Sequence, residues 1–438
     1  MRLVPGAAVR HGIADHEYVA SYYAASRHAA PAHPVLAGEV DCDVCVVGAG
    51  LAGTSTALHL AGRGYRVVLL EAARVGWGAS GRSGAQALPG FAAGEDRMEA
   101  LLGRDDARRA FDISVEGLDL MQALIARHAI DCDYVPGQMH VAVKPRQVTE
   151  LRHWVERLHR DFGYTSLRFV PQEEVRSLIA SGRYLAGTHD TRSGHLHPLN
   201  YTLGLAAAAV RAGARIYEGS RALGWQGGER VRVRTAGGSV QCRYLALCGN
   251  AWLGDAAPPL ARRIMPVGTY IVATEPLGQA RARALIANDA AVTDINWVLD
   301  YFRRSRDHRL LFGGRVSYSG LDPFNTAHAT RQRMLQVFPQ LRDAKIESSW
   351  GGFVDITMNR APDFGRLAPN VYYLQGFSGH GIALTGIAGR LLAEAVAGTA
   401  ERFDIFSRIT HREFPGGALL RRPALVLAMA WYRLKDLL

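Results

Sequence analysis

The chain has 438 residues, enough for two domains with sizeable cores, and its 48% apolar and 21% charged residues are ordinary for a globular protein. The formal net charge is +11, but the arginines are scattered without a basic tract, which favours a basic surface and anionic ligands over nucleic-acid binding. The five cysteines lack framework spacing, the N-terminus has no apolar signal core, and the late apolar run from Ala424 to Tyr432 is too short for a bilayer. We therefore expect a cytoplasmic protein for which a membrane is unlikely to be a partner.

The first 36 residues predict an irregular arm whose tyrosines, Tyr18, Tyr22 and Tyr23, pack on the body of the protein. Cys42 and Cys45 follow with C-x-x-C spacing on a predicted strand. Residues three apart on a strand point to opposite faces, which argues against a redox pair or a metal site.

The stretch from Asp43 to Glu71 predicts a strand, a tight turn, a helix and a second strand. Its turn carries G-x-G-x-x-G as Gly48, Gly50 and Gly53. In this motif the first glycine permits the turn, the second admits a pyrophosphate, and the third lets helix and strand pack closely. Glu71 lies at the end of the second strand, where a carboxylate binds a ribose and repels the extra phosphate of NADP. The unit predicts dinucleotide binding.

The rest of the chain alternates between helical and strand patterns. The glycine-rich segment from Ala72 to Gly90 predicts a loop that lies along the cofactor. Helices are predicted at 98–129, 147–162 and 199–212, and strands at 134–143, 184–189, 215–218, 230–235, 239–242, 244–248, 268–274, 309–316 and 371–375. After the last strand, GFSGHGIALTGIAGRLLAEAVAG repeats the pattern of a glycine-rich turn before a long helix.

These patterns predict an α/β protein with an α+β cap, in which the chain passes between two domains more than once. A Rossmann-type nucleotide-binding domain takes residues 37–90, 190–262 and 346–414, and an interleaved antiparallel-sheet substrate domain takes residues 91–189 and 263–345. Residues 1–36 form the N-terminal arm and residues 415–438 a C-terminal tail.

Several of these segments together resemble the D-amino-acid oxidase family of FAD-dependent amine oxidoreductases. They are the Asp43 to Glu71 unit, GWGASGRSGAQ at 76–86, LALCGNAW at 245–252, and YYLQGFSGHGIALTGIAGRLLAE near the C-terminus. SYYAAS at 21–26, PVGTYIVATEPL at 266–277, YFRRSRDHRLLFGGRVSYS at 301–319 and FPGG at 414–417 are most similar to bacterial gamma-glutamylputrescine oxidoreductases. The resemblance covers almost the whole chain.

The resemblance implies a set of residues that bind FAD. Gly48, Gly50, Leu51, Ala52, Gly53, Glu71 and Ala72 are implied for its ADP half, Ser80, Gly81, Arg82 and Ser83 for the pyrophosphate and flavin, Cys248 and Gly249 for an inner turn, and Gly376, Ser378, Gly379, His380, Gly381 and Ile382 for the pyrimidine edge of the flavin. Relatives with covalent flavin use a late cysteine or a histidine in the loop after the second strand. Here no cysteine follows Cys248 and Arg82 takes the histidine's place, so non-covalent FAD is implied.

The same resemblance suggests residues for the substrate. Arg303 stands where relatives acting on amino acids clamp a carboxylate, with a solvated basic turn as the alternative. His380 is a candidate proton relay or a packing residue beneath the flavin. Trp297, Tyr301 and Tyr270 are candidates for the wall of an amine channel or for the core. Gln86 is a candidate for a hydrogen bond to flavin or substrate, or for one that simply satisfies a backbone group. His195 and His197 lack a third ligand, so no metal is expected.

The implied reaction is oxidation of an amine: hydride passes to flavin N5, and the imine hydrolyses to an aldehyde and ammonia. The implied substrate is gamma-glutamylputrescine or a related polyamine derivative. Oxygen is the expected acceptor, giving hydrogen peroxide, although Leu310 to Phe312 stand where sarcosine oxidases place a lysine that assists oxygen. A small amino acid such as glycine, sarcosine or a D-amino acid remains an alternative substrate, and a non-catalytic flavin-binding subunit remains an alternative class. The tail from Ala418 to Leu438 packs on its own body or, less favourably, docks on a membrane.

Overall fold

A computed structural model describes residues 16–317 and 326–415 of the chain. The predicted C-terminal tail from Ala418 to Leu438 lies outside the described residues, so neither prediction for it is tested. The predicted packing of the N-terminal arm is confirmed, since Tyr22 and Tyr23 are buried and Tyr18 packs against the same core.

The described residues form helices and strands in alternation. The strands are β1 (Gly38–Asp41), β2 (Val44–Val47), β3 (Val67–Leu70), β4 (Gln86–Ala87), β5 (Val135–Ala142), β6 (Leu167–Pro171), β7 (Ala186–His195), β8 (Arg215–Tyr217), β9 (Gly224–Gln226), β10 (Val231–Arg234), β11 (Gly238–Cys242), β12 (Tyr244–Leu247), β13 (Ile264–Thr274), β14 (Ala291–Asp294), β15 (Tyr301–Arg304), β16 (Leu310–Ser317), β17 (Ile346–Thr357), β18 (Asp363–Ala368) and β19 (Val371–Gln375). The α-helices are α1 (Tyr22–Ala25), α2 (Leu51–Ala61), α3 (Glu95–Leu102), α4 (Arg104–His128), α5 (Pro145–Phe162), α6 (Gln172–Leu178), α7 (Pro198–Arg211), α8 (Pro258–Ala261), α9 (Gln279–Leu285), α10 (Thr326–Val337), α11 (Gly381–Val396) and α12 (Glu401–Ser407).

A six-stranded sheet in the order β18-β19-β12-β2-β3-β8 holds the fingerprint unit. Its strands are parallel apart from β18. β2 and β3 are buried at every position, which explains why their sequences are continuous apolar runs. Helix α2 packs between α7 and α11, and a four-stranded sheet in the order β1-β11-β10-β9 lies beside the unit. This is the predicted Rossmann-type half of the protein.

A nine-stranded sheet forms the second half, in the order β17-β13-β16-β15-β14-β5-β7-β4, with β6 also paired to β7. Its pairs are antiparallel apart from β14 with β5. The sheet includes Gln86–Ala87 and Ile346–Thr357, which the predicted boundaries assign to the nucleotide-binding domain. Both segments hydrogen-bond to strands of the large sheet, and they therefore bring the two halves into contact.

Three local predictions differ from the structure. The helix predicted over 98–129 is two helices, α3 and α4, divided at Gly103, whose positive φ of 79° ends the first. The strand predicted over 184–189 continues to His195. The prediction that Cys42 and Cys45 point to opposite faces is wrong. The strand is interrupted between β1 and β2, and the thiols of Cys42 and Cys45 both reach that of Cys242 in one buried cluster.

No single helix in the described part of the chain is long and apolar enough to cross a membrane. Helices α11 and α12 meet the length and composition requirement only as a pair bent by 117°.

Candidate active site

The fingerprint turn is closed by contacts that only glycine permits. Gly48 has a φ of +101°, and a Cβ atom on Gly53 would lie 1.8 Å from the Gly48 carbonyl oxygen. A Cβ on Gly48 would lie 2.8 Å from the backbone of Gly249, so the turn after β12, with Cys248 and Gly249, packs directly on the fingerprint. These contacts give Gly48, Gly53 and Gly249 the close-packing role predicted for the motif.

The N-terminus of α2 is open to a ligand beside this turn. The N–H of Leu51 donates to Ser80 Oγ at 2.9 Å, while the N–H groups of Ala52 and Gly53 have no acceptor among the described residues. A Cβ on Gly50 would meet only Ser80 Oγ, at 2.8 Å. Free N–H groups at the positive end of a helix bind phosphates, so this arrangement fits a pyrophosphate.

Glu71 lies at the end of β3, as predicted. Its carboxylate accepts from the N–H of Ala49 at 2.7 Å and from the N–H of Ala73 at 2.9 Å. Burial raises the pKa of the Glu71 carboxyl, although these backbone bonds oppose the shift. Ala72 adjoins this carboxylate, which stands beside the fingerprint turn at the place predicted for a ribose.

The glycine-rich loop contains a buried arginine that has no carboxylate partner within residues 16–317 and 326–415. Arg82 is 6% exposed, its Nε donates to the Trp77 carbonyl oxygen at 2.7 Å, and its guanidinium lies 4.1 Å from the Trp77 ring. Its Nη2 is buried and has no hydrogen-bond partner among the described residues. Burial lowers the pKa of Arg82 to about 10, so the guanidinium stays charged at neutral pH. An unpaired buried cation is costly, which indicates an anionic group as its missing partner.

Strand β17 joins this loop to the second glycine-rich turn. At one end of the strand, Trp350 Nε1 donates to the Arg82 carbonyl oxygen at 3.0 Å. At the other end, the Asp355 carboxylate accepts from the N–H groups of Gly376 and Phe377, and its carbonyl accepts from the N–H of Ser378. Burial raises the pKa of Asp355 to about 6.

Asp355 is a site residue that the sequence reasoning missed. It lies about twenty residues before the turn that it shapes, outside any glycine motif. The sequence gives no signal for this role. Asp355 is recognised only in the folded structure, where its carboxylate faces the N–H groups of the late turn.

The fingerprint turn (Gly48 to Gly53), the glycine-rich loop and the late turn (Gly376 to Ile382) therefore lie next to one another in a row. We call this row the cofactor line. Gly81 packs tightly inside the loop, where a Cβ would lie 2.3 Å from the Gly76 carbonyl, and Ser83 Oγ accepts from the N–H of Ala85 at 3.3 Å. Gly379 has a φ of +96°, and His380 caps α11, which begins at Gly381 and Ile382. The structure thus brings the predicted cofactor residues together along one path.

The large sheet faces this line with alternate residues of its strands. Gln138 and His140 on β5 share a face with Thr293 on β14 and Tyr301 on β15, as their pairing requires. Gln86 binds the same face: it accepts from Thr293 Oγ1 at 2.7 Å and donates to the Val292 carbonyl at 3.2 Å.

Tyr301 stands between the large sheet and the glycine-rich loop. Its ring is held between Gly84 and Gly313, where added Cβ atoms would lie 2.6 and 2.1 Å from ring carbons. Tyr270 similarly packs its ring on Gly351. Of the predicted substrate residues, Tyr301 and Gln86 therefore lie at the interface between the loop and the sheet.

A cavity of about 450 Å³ lies at one end of this polar face. It is enclosed by the loop after β4, by β5 and β7, by α5 and by His380 of the late turn. Gln138 Oε1, His140 Nδ1 and His380 Nδ1 are buried without a hydrogen-bond partner among the described residues. Burial lowers the pKa of both His140 and His380 to about 4, so both imidazoles are neutral at pH 7.

Two predicted substrate residues lie elsewhere. Arg303 is 4% exposed and is surrounded by protein acceptors: Nη1 donates to the Arg304 carbonyl at 3.0 Å, and Nη2 to Tyr23 Oη at 3.0 Å and the Leu196 carbonyl at 2.9 Å. Only Nε is without a partner among the described residues. Trp297 is 47% exposed on the loop between β14 and β15. The alternative prediction, that Arg303 lies in a solvated basic turn, is wrong, because Arg303 is buried beneath the N-terminal arm.

Comparison with known proteins agrees with this arrangement. The chain is 43% identical to the gamma-glutamylputrescine oxidoreductase of Escherichia coli (strain K12) over 421 residues, which cover 96% of this chain and 99% of that protein. It is 40% identical to the probable oxidoreductase OrdL of Haemophilus influenzae, over 96% of this chain and 98% of that protein. The crystal structure of glycine oxidase from Geobacillus kaustophilus covers 82% of this chain and 95% of its own with a TM-score of 0.68 and 21% identity, a likeness of fold.

Residues 43–395 match the family described as DAO, FAD dependent oxidoreductase. The match runs from the first strand of the fingerprint unit to the end of the helix that follows the late glycine-rich turn. The predicted fold class, with a Rossmann-type domain and a second sheet, is confirmed by these findings. The chain belongs to the DAO family of FAD-dependent oxidoreductases, and FAD is its cofactor.

Proposed function

We propose that the protein oxidises the primary amine of gamma-glutamylputrescine or of a closely related polyamine derivative. The observation that carries this proposal is the 43% identity to gamma-glutamylputrescine oxidoreductase, which extends over 96% of this chain. Such coverage includes both the cofactor line and the strands that face it. The products are an aldehyde and ammonia, released when water hydrolyses the imine.

The described residues fit FAD. The open N-terminus of α2 and the unpaired Nη2 of Arg82 would hold the pyrophosphate, Glu71 the ribose, and the turn from Gly376 to Ile382 the flavin. Arg82 replaces the histidine used for covalent attachment, so we propose that the cofactor is held without a covalent bond. Acid precipitation should leave yellow FAD in the supernatant, and colour retained by the pellet would contradict this attachment.

FAD, when bound, would supply the two-electron acceptor for the hydride, and oxygen as the final oxidant would give hydrogen peroxide. The chain's own contribution is to bind and orient the amine and to keep water away from it. Tyr301 and Gln86 would line the path, and His380, neutral at pH 7, can share a hydrogen bond with the amine without adding a positive charge beside it. Leu311 lies on the same sheet face as Arg303, where sarcosine oxidases use a lysine, so acceptors other than oxygen belong in the assay.

The bonding of Arg303 favours the amine substrate over a small amino acid. A bidentate carboxylate clamp needs two free donors on one edge of the guanidinium. Here both terminal nitrogens already donate to protein oxygens, and a clamp would have to break those bonds. We propose that Arg303 instead fixes Tyr23 and the N-terminal arm.

The test is anaerobic flavin reduction with gamma-glutamylputrescine, putrescine, sarcosine, glycine and D-alanine, using wild type and Arg303→Ala. We expect gamma-glutamylputrescine to reduce the flavin fastest. If Arg303 clamps a carboxylate, Arg303→Ala should lose about 2 to 5 kcal/mol of transition-state binding, and only for substrates that carry a carboxylate. If Arg303 instead fixes the N-terminal arm, the rate of flavin reduction should change by the same factor for every substrate. Preference for a short amino acid would overturn the proposal, and a flavin that no amine reduces would favour a non-catalytic subunit.

A matched pair of glycine variants tests the cofactor turn. Gly53→Ala should abolish FAD binding, because the new methyl group meets the Gly48 carbonyl oxygen at 1.8 Å. Gly50→Ala should weaken binding less, because its methyl group meets only the Ser80 hydroxyl, which can rotate away. Flavin content after dialysis is the measurement, and equal content in the two variants would contradict this reading of the turn.

A further inference from the structure

The cavity beside His380 has an electrostatic character opposite to that of the whole chain. The chain carries a formal net charge of +11. Among the described residues that line the cavity, Glu95, Glu150 and Asp190 are acidic and none is a lysine or an arginine. The charged side chains that it presents are therefore all acidic.

The acceptors in this cavity are not all equivalent. Asp190 is already satisfied: its carboxylate accepts from Tyr164 Oη at 2.8 and 3.0 Å and from the N–H of Arg192 at 3.0 Å. Glu150 is exposed and marks the open side. Glu95 is part-buried and accepts from the Trp154 indole N–H, which leaves further acceptor capacity on its carboxylate.

Two side chains of β5, Gln138 and His140, add buried atoms that have no hydrogen-bond partner among the described residues. Gln138 is 0% exposed; its amide N–H donates to the Met139 carbonyl at 3.0 Å, while its Oε1 has no donor among the described residues. His140 Nδ1 is likewise without a partner, and its ring packs edge-on against Trp154 at 5.1 Å. A buried acceptor without a donor is costly, so Gln138 Oε1 indicates that a donor occupies the cavity when a ligand is bound, while the His140 ring can donate or accept at Nδ1.

The remaining walls are apolar. Phe91, Phe111, Leu151, Trp154, Leu158 and Leu167 line the cavity. Its volume of about 450 Å³ lies within the range of roughly 300–1,000 Å³ that is typical of small-molecule sites. Hydrocarbon walls with acceptors at one end fit a chain of methylene groups that ends in a donor.

We infer that this cavity binds an aliphatic ammonium group, with its methylene chain along the aromatic and leucine walls and its N–H groups on Glu95 and Gln138. This inference rests on the proposed function, because it assigns to the cavity the cationic alkyl portion of the amine substrate. His380 belongs both to the cavity and to the late glycine-rich turn, so a chain held here is adjacent to the cofactor line. Glu95 thereby becomes a specificity-determining residue.

The test measures binding without turnover. Holoenzyme is photoreduced under anaerobic conditions, so that an amine cannot be consumed, and is titrated calorimetrically with hexylamine, 1-hexanol and hexanoate. We expect hexylamine to bind at least tenfold more tightly than 1-hexanol, and hexanoate not to bind. Fluorescence of Trp154, compared with a Trp154→Phe variant, should report the hexylamine titration because the indole lines the cavity.

Variants of the lining residues test whether Glu95 and Gln138 bind the ammonium group. Glu95→Gln should weaken hexylamine binding about ten- to a hundredfold and leave 1-hexanol unchanged, and Gln138→Met should weaken hexylamine several-fold. Glu99→Gln is the matched control, since it removes the same charge from α3 and Glu99 lies outside the cavity lining. Equal affinity for hexylamine and 1-hexanol, or a Glu95→Gln protein that binds hexylamine like wild type, would overturn the inference.

Separate measurements distinguish this inference from the proposed function. If amines reduce the wild-type flavin but Glu95→Gln leaves hexylamine affinity intact, the cavity assignment alone fails. If hexylamine binds through Glu95 but no amine in the panel reduces the flavin, the proposed function fails and the binding site stands.

Discussion

The two faces of the large sheet are built from the same strands but have opposite characters. On one face, Met139, Val292 and Phe302 belong to a core that the sheet shares with its own helices, α6, α9 and α10. On the other, Gln138, His140, Thr293 and Tyr301 meet the cofactor line, and two of their polar atoms, Gln138 Oε1 and His140 Nδ1, have no partner among the described residues. The packed face is filled by the protein's own apolar side chains, whereas we propose that a bound ligand completes the polar face.

The difference shows how one sheet serves stability and chemistry together. Successive side chains on a strand point to opposite faces, so each strand can place apolar residues on one side and polar residues on the other. Substitutions on the packed face should change the free energy of unfolding. Substitutions on the polar face should mainly change ligand binding, the pH dependence of stability and the close packing around Tyr301.

The largest expected effect comes from truncating the packed face. Phe302 is 1% exposed and its ring contacts those of Phe312 and Phe338, with centroids 5.8 and 5.0 Å away. Phe302→Ala should lower the free energy of unfolding by about 3 to 5 kcal/mol, because it leaves a cavity in a core. Thr293→Val, on the polar face, is the control and should cost far less. Urea unfolding of the holoenzyme measures both, and a similar loss in the two variants would erase the distinction between the faces.

Acid should weaken the polar face through His140. Burial lowers the pKa of His140 to about 4, below the ordinary 6.5 of an unfolded histidine, so the unfolded chain takes up a proton first as the pH falls. Stability from the neutral His140 is therefore complete above pH 6.5 and is lost between about pH 6.5 and 4, by about 3 kcal/mol.

The measurement is the unfolding free energy of wild type, His140→Gln and Met139→Leu at several pH values. The glutamine variant should lose less stability in acid than wild type, whereas Met139→Leu, on the packed face, should keep the wild-type pH dependence. Parallel pH curves for all three proteins would show that His140 takes up its proton as easily in the folded chain.

The smallest expected effect concerns the close packing of Tyr301. A methyl group at Gly313 would lie 2.1 Å from Tyr301 Cζ, so Gly313→Ala should cost about 1 to 3 kcal/mol through overcrowding. Tyr301→Leu removes the ring, and the double variant should lose less stability than the two single losses combined. Strict additivity in this cycle would mean that the ring does not limit position 313.

The sequence was most informative where a structural requirement is local. The tight turn at Gly48 to Gly53 and the apolar runs of β2 and β3 need only neighbouring residues, so the fingerprint unit could be predicted almost residue by residue. The same holds for the arm tyrosines, whose aromatic rings require cover. Arg82 was predicted as a cofactor residue, but only the fold shows that no carboxylate in the described part of the chain pairs with it.

The cavity could not be predicted in this way. Its residues come from separate segments, including Glu95, Gln138, Trp154 and His380, which meet only after β5 pairs with β7 and α5 covers them. No motif relates these positions, and Gln138 and His140 look like ordinary polar residues of a half-exposed strand. Arg303 illustrates the reverse case: its neighbours Arg304 and Arg306 suggested solvent, but the arm from the start of the chain covers it.

The largest hydrophobic core joins the two halves of the protein rather than filling one of them. It contains Val46 and Leu69 of the six-stranded sheet together with Ile271, Leu311 and Trp350 of the nine-stranded sheet. Separating the halves would expose apolar surface on both, so neither is a module that can be exchanged between relatives by simple recombination at a boundary. Substrate range in such a chain can change by substitution on the shared interface, whereas replacing the cap as a block would remove part of the cofactor domain's own interior.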